Sequence, residues 1–352
     1  MVPVGESTRL PVVPSQPVGL RDPHSVSGPW WAHGCLVGRE GRWCRCVIMD
    51  GHLKLGKGMC LNLIELLKAI LYGIVEGITE WLPISSTGHM LLLQRVMPLA
   101  VTADFWDMFL VVIQLGAILA VCVLFFGRLN PFSRHKDAAG RRGTWALWAK
   151  IVVATIPAAI IGLPLNDWID EHLQSSPVIA AALIVYGAAF IVIETVRSRP
   201  RHAVGAHAVQ TVADDDRARV RDMTELGFPT AIGIGIFQVL SLVPGTSRSG
   251  STIIGGLILG CSRPVAAEFT FFLAIPTMFG ASALKLVKFC AGGNGFSSYE
   301  GSILTAGCIV AFLVSLLAIR FLMGFVKRHD FRPFGVYRII LGVAVIAAMQ
   351  LT

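Results

Sequence analysis

The chain has 352 residues, of which 54% are hydrophobic and only 15% charged. Soluble domains carry charge on about a quarter of their residues, so this composition excludes one and predicts a polytopic membrane protein. The net charge of +8 does not imply nucleic-acid binding, because the basic residues gather in short loops and form no stripe interleaved with aromatics.

Residues 1–58 differ from the rest. They are rich in Pro, Gly and Arg and hold no apolar run of membrane length. They lack the continuous apolar core of a signal peptide. We expect a disordered extension or an overlong start assignment, with Met59 as the natural beginning and residues 59–352 as the membrane domain. The eight cysteines form no C-x-x-C pair. Cys44 and Cys46 are too close for a zinc hairpin, and Cys122, Cys261 and Cys308 sit in apolar runs as small core residues.

From residue 61 onward, apolar stretches of spanning length, about 20 residues, fall at 104–127, 144–163, 177–196, 264–288, 302–322 and 333–352. Two further apolar regions, 61–97 and 228–260, are interrupted. Pro83 and Gly88 are expected to break the first, and Pro244, Gly245 and Gly250 the second. Broken helices at membrane depth persist where they pack inside protein or line a wet cavity, so each region is expected to be a re-entrant pair of half-helices. Three loops are basic: 128–143, 197–227 with six arginines, and 323–332. The loops 164–176 and 289–301 hold no Lys or Arg. Six spans with two re-entrant pairs put every basic loop inside and both basic-free loops outside. A shift of 161 residues aligns Leu82-Pro83-Ile84-Ser85-Ser86 with Val243-Pro244-Gly245-Thr246-Ser247. The expected architecture is therefore all-α: six transmembrane helices plus two re-entrant helical pairs in an inverted repeat, about 60–197 and 227–352, with a site between the halves near the midplane.

The interruptions are polar in ways that suit phosphate chemistry. Glu76 and Glu80 lie at i and i+4, on one helical face. Adjacent carboxylates either share a proton or bind a cation, and a hard divalent ion, Mg²⁺ or Ca²⁺, takes oxygen ligands and bridges to phosphates. The alternative is a buried carboxylate pair satisfied by hydroxyls and backbone. Ser85, Ser86, Thr87 and His89 place hydroxyls near an imidazole that could serve as base or acid; equally, Ser86 or Thr87 could cap the following half-helix, whose N-terminus is itself an anion site. Arg248, between Ser247 and Ser249 and four residues before Thr252, offers a fork that matches phosphate oxygens. Its structural alternative is a salt bridge to Glu76 or Glu80, which would bring the two segments together. Gln114 and Gln238 lie in apolar runs, with hydrogen bonds to the site and purely structural roles both open. Asp222, Thr224 and Glu225 precede the second broken region as candidate caps.

The string Glu76-Gly-Ile-Thr-Glu80-Trp-Leu-Pro-Ile-Ser-Ser86-Thr-Gly-His89, with Pro244-Gly-Thr-Ser-Arg248-Ser-Gly250, closely resembles the undecaprenyl-diphosphatase, or bacitracin-resistance, family. Val112-Ile-Gln-Leu-Gly116 and Ser262-Arg-Pro-Val-Ala-Ala-Glu-Phe269 also look like that family's pattern. The resemblance runs from about residue 59 to the C-terminus. It implies a multi-pass enzyme of the bacterial inner membrane with its site facing the outer side. Such an enzyme hydrolyses a polyprenyl diphosphate lipid to the monophosphate and inorganic phosphate, recycling the carrier for peptidoglycan. Bacitracin competes for that lipid, so the activity confers resistance. The resemblance also implies a divalent metal at Glu76 and Glu80, Ser86 and His89 as catalytic groups with Glu80, and Arg248 on the phosphate with Ser247, Thr87, Ser249 and Thr252 nearby. Nucleophilic attack by Ser86 and direct attack by water both stay open, as does oligomeric state, a homodimer included. The rival from another class is a lipid-phosphate flippase or transporter using the same inverted-repeat site. A second rival is the acid-phosphatase-like lipid phosphatases, whose motifs Thr87-Gly88-His89 and Ser247-Arg248 superficially echo; it ranks below the first because the Lys-x₆-Arg-Pro and Arg-x₅-His-x₃-Asp motifs are missing.

Overall fold

The computed structural model describes residues 35–37, 43–48, 51–198, 218–293 and 295–350. The chain divides into two units, Met1–Cys60 and Leu61–Thr352. In the first, β1 (Cys35–Val37), β2 (Trp43–Ile48) and β3 (Gly51–Gly56) pair antiparallel in that order. The sequence reading predicted no element in 1–58. Apart from these strands and the first residues of the following helix, that segment lies outside the described residues.

All six predicted spans are helices long and apolar enough to cross a membrane: α3 (Ala103–Leu124), α5 (Ala138–His172, apolar to Leu165), α6 (Ser176–Arg197), α9 (Arg263–Ala291), α10 (Ser298–Phe325) and α11 (Arg332–Gln350). A single turn, α4 (Phe126–Leu129), follows α3. Side-chain oxygens fix several starts: Thr102 accepts from Phe105 N, Asp137 from Gly140 N, and Ser297 forms a reciprocal capping box with Glu300. Along α10, Ile309, Leu313, Leu317 and Phe321 are exposed at four-residue intervals. Gly307, Ala311, Ser315 and Leu322 line its buried face. An exposed apolar stripe of this length is what a helix presents to lipid rather than water.

The two interrupted regions are helical hairpins. α1 (Lys57–Thr79) and α2 (Ser86–Val96) fold back so that Tyr72 Oη donates to Met97 O at 3.2 Å and Lys68 Nζ to Pro98 O at 2.7 Å, while Glu65 Oε2 accepts from Ala100 N at 2.9 Å. In the second, α7 (Phe228–Val239) and a 3-10 turn at Leu240–Leu242 lead to α8 (Arg248–Ile258), and Gly255 packs directly under Phe237. The breaks fall at 80–85 and 243–247, which include Pro83, Pro244 and Gly245. Gly88 and Gly250 do not break anything. They sit inside α2 and α8, where a side chain would press on Leu183 and on Ser247 and Arg338 respectively. The cap roles expected of Asp222, Thr224 and Glu225 also differ. They tie a turn before α7, whose N-cap, Gly227, has no side chain. Thr224 N donates to Asp222 Oδ1 at 2.9 Å, Thr224 Oγ1 at 2.8 Å, and these bonds hold the Asp222 carboxyl below its usual range.

One order of elements occurs twice: α1–α2, α3, α5, α6, then α7–α8, α9, α10, α11. Packing repeats with it. Gly73 of α1 approaches Gly307 O of α10, and Gly235 of α7 approaches Ala154 O of α5, each so closely that a Cβ would collide with the carbonyl. The hairpin turns correspond at an offset of 162, not the expected 161, pairing Ser85 with Ser247 and Ser86 with Arg248. The prolines align at 161, but the second turn carries two residues, Gly245 and Thr246, between proline and N-cap where the first carries Ile84 alone.

Candidate functional site

The two turns meet. Arg248, the first residue of α8, forms a salt bridge to Glu80 Oε1 just beyond α1, and Ser86 Oγ donates to Glu80 Oε2 at 2.8 Å. Glu80 thus receives one donor from each hairpin. Ser249 Oγ reaches the carbonyls of Glu80 at 3.2 Å and Leu82 at 3.4 Å. Glu76, one turn earlier on α1, is buried beside Glu80 and feels the Arg248 charge. Glu76 Oε1 and Arg248 Nε are buried with no hydrogen-bond partner.

Both N-caps adopt unusual backbone. Ser85 has φ 73° and Ser247 φ 69°, a region that L residues rarely enter and that clusters at functional sites. Ser247 Oγ accepts from Gly250 N at 3.2 Å, whereas Ser85 makes no side-chain cap. The expected cap at Ser86 or Thr87 is therefore displaced to Ser85, leaving the Ser86 hydroxyl available to Glu80.

His89 is not beside that hydroxyl. Its Nδ1 lies 2.7 Å from Ser85 O, which can only accept, so Nδ1 carries the proton. Nε2 lies 2.7 Å from the Tyr337 hydroxyl, and the two rings stack. The base adjacent to Ser86 is Glu80. Of the residues expected on phosphate, Thr252 Oγ1 donates to Arg248 O at 2.9 Å and accepts from Thr270, so it braces the first turn of α8. Ser249 and Ser247 also spend their hydroxyls on the turns.

A cavity of about 560 Å³ opens beside the turns. Glu76, Ser86 and Thr87 line it from the first hairpin, Gln238, Ser241 and Pro244 from the second, and the apolar Leu110, Ala159, Leu163 and Leu284 from the spans.

Two residues near the turns, Arg338 and Tyr337, are not among those expected from the sequence. Arg338, in the second turn of α11 and fully buried, donates to Pro83 O at 3.3 Å, Gly245 O at 2.9 Å and Thr246 O at 2.8 Å. It therefore joins the two turns. Tyr337 is its neighbour. The signal was present: an arginine inside an apolar span is costly unless it has partners.

A family model for the bacitracin resistance protein BacA matches residues 69–344, which contain both hairpin turns, five of the six spans whole and the sixth as far as residue 344. The chain belongs to that family. Among proteins similar to it is the undecaprenyl-diphosphatase of Lactiplantibacillus plantarum, 52% identical over 291 residues, covering 82% of this chain and 99% of that one. Those of Streptococcus thermophilus and Limosilactobacillus fermentum are each 53% identical, over 284 and 289 residues, covering 81% and 82% of this chain and 93% and 99% of theirs.

Proposed function

We propose that this member of the BacA family is a membrane phosphatase that hydrolyses undecaprenyl diphosphate to undecaprenyl phosphate and inorganic phosphate. One observation carries the reading: Ser86 of the first hairpin and Arg248 of the second converge on one buried carboxylate, Glu80, in a chain half identical to relatives named for this activity. The reading places the protein in the bacterial inner membrane, with both hairpins re-entrant, the two halves inverted and the site open to the outer side. The basic loops support that orientation. In this setting the activity returns the lipid carrier to wall synthesis and reduces the diphosphate that bacitracin sequesters.

The apolar wall of the cavity suits the first isoprene units, and its polar end suits the diphosphate. Arg248 Nε has no partner; this donor suits a phosphate oxygen, and the guanidinium would stabilise charge that develops during transfer. Glu80 accepts the Ser86 proton if the serine attacks, or orients a water if it does not. His89 and Tyr337 form a hydrogen-bonded pair at the other side of the α2 N-terminus, placed to move a proton. The orphan oxygen of Glu76 and the hard oxygen set of Glu76 and Glu80 fit Mg²⁺ or Ca²⁺. Such an ion, when bound, neutralises charge on the diphosphate.

Phosphate release from undecaprenyl diphosphate by detergent-purified protein, with Mg²⁺, with Ca²⁺ and with EDTA, tests the reading. Metal-dependent release that Glu80→Ala and Arg248→Ala abolish is the expected result. The repeated hairpin-and-span order also favours a second reading, a lipid-phosphate flippase. Lipid movement in liposomes without phosphate release would select it.

A further inference from the structure

Gln238 lies in α7, the first helix of the second hairpin, as Glu76 lies in α1, the first helix of the first. Both side chains are 1% exposed, and both line the cavity. Glu76 Oε1 and Gln238 Oε1 are each buried without a hydrogen-bond partner. The Gln238 amide is fixed by its other end. Nε2 lies 3.3 Å from Thr277 Oγ1, and Thr277 spends its own hydrogen on Leu273 O at 2.9 Å. Thr277 can therefore only accept from Gln238, which assigns the nitrogen to that side and turns the oxygen away from it.

An amide oxygen repels phosphate oxygens. What it accepts is a cation or an O–H. Among the described residues no three side chains of His, Cys, Asp and Glu converge as a metal centre, so two carboxylates need neutral oxygens to complete a coordination shell. Calcium sites use the carbonyl oxygens of Asn and Gln in that role. We infer that Gln238 is a direct oxygen ligand of a divalent cation, supplied by the second half of the chain to the cavity that Glu76 also lines. The inference rests on the reading that Glu76 and Glu80 hold such an ion.

The test uses full-length protein in detergent, with Mn²⁺ as the probe and free Mn²⁺ counted by electron paramagnetic resonance. Gln238→Leu keeps the shape and removes the oxygen; its Kd for Mn²⁺ should rise about tenfold or more, on the scale by which outer-shell changes already weaken metal sites. Gln238→Glu adds charge at the ligand position and should bind more tightly than the parent. Thr277→Val frees the amide to turn and should weaken binding although position 277 supplies no ligand. An unchanged Kd in Gln238→Leu overturns the inference. Should that variant fail to fold, weaker or unchanged binding by Gln238→Glu overturns it instead. Mn²⁺ binding lost in Glu76→Gln but kept in Gln238→Leu defeats this inference alone, whereas no Mn²⁺ binding by the parent protein defeats the metal reading as well.

Discussion

Ser85 and Ser247 hold the same rare backbone conformation at the N-caps of two helices of 11 residues, α2 and α8. Each turn must reverse direction within a few residues and still present its next side chain, Ser86 or Arg248, to Glu80. A left-handed residue at the cap achieves this. Such a conformation costs about 1–3 kcal/mol in a residue with a Cβ, and glycine avoids that cost. Ser85→Gly should therefore raise the melting temperature. Ser247→Gly should change it little, since relief of strain offsets loss of the bond to Gly250 N. Ser85→Val should lower it. Thermal unfolding in detergent distinguishes the three, and a more stable Ser85→Val would refute the argument from strain.

Glu80 and Arg248 form a buried ion pair between the hairpins. Removing one partner strands the other, a loss of about 3–5 kcal/mol in comparable cases. Glu80→Ala and Arg248→Ala should each destabilise strongly. The double variant should be less destabilised than the sum of the two while staying inactive. Arg248→Lys keeps charge without the fork and should retain stability better than activity. Additive losses in the double variant would show that the pair does not join the hairpins energetically.

Arg338 offers a different kind of test, because its side chain ties three turn carbonyls together. Arg338→Met fills similar volume but leaves Pro83, Gly245 and Thr246 carbonyls without a donor. At about 1–3 kcal/mol for each buried group left unsatisfied, the variant should unfold at markedly lower temperature, and what remains folded should turn over slowly with metal affinity little changed. Parent-like stability in Arg338→Met would sink this positioning role.

Much of the architecture was legible because its signals are local. Apolar length set the six spans, and polar residues within apolar runs marked the two hairpin turns that meet at Glu80. Hydrogen-bond partners were less legible because they depend on how the turns cross. Ser86 and His89 are three residues apart, which suggested a nucleophile and its base, yet α2 carries the imidazole toward Tyr337 while the hydroxyl faces Glu80. The turn register was misjudged by one residue because Pro83 and Pro244 align while the caps do not. Arg338 was missed because it was counted within a span rather than weighed as a buried charge.

The pairing of His89 with Tyr337 predicts a graded effect. General acid–base groups contribute about 10²–10⁴-fold to rate, so His89→Ala should lower kcat within that range. Tyr337→Phe keeps the stacked ring and removes only the hydroxyl at Nε2; its loss should be smaller and confined to kcat, with KM for the lipid unchanged. Equal losses in the two variants would show that the imidazole acts only through the tyrosine.

Ser86 decides the chemical route. Its hydroxyl is already bonded to a carboxylate, the arrangement that activates a serine nucleophile, and it lines the cavity where the diphosphate is proposed to lie. With the serine as nucleophile, the terminal phosphoryl group passes to Oγ, undecaprenyl phosphate leaves, and water then releases inorganic phosphate. Rapid acid quenching during turnover of substrate labelled in that phosphate should trap label on Ser86. Ser86→Ala should lose activity by about 10²–10⁴-fold or more, the scale of a removed proton-transfer group or larger. Ser86→Ala with parent-like turnover would assign the attack to water instead, leaving Glu80 to orient it.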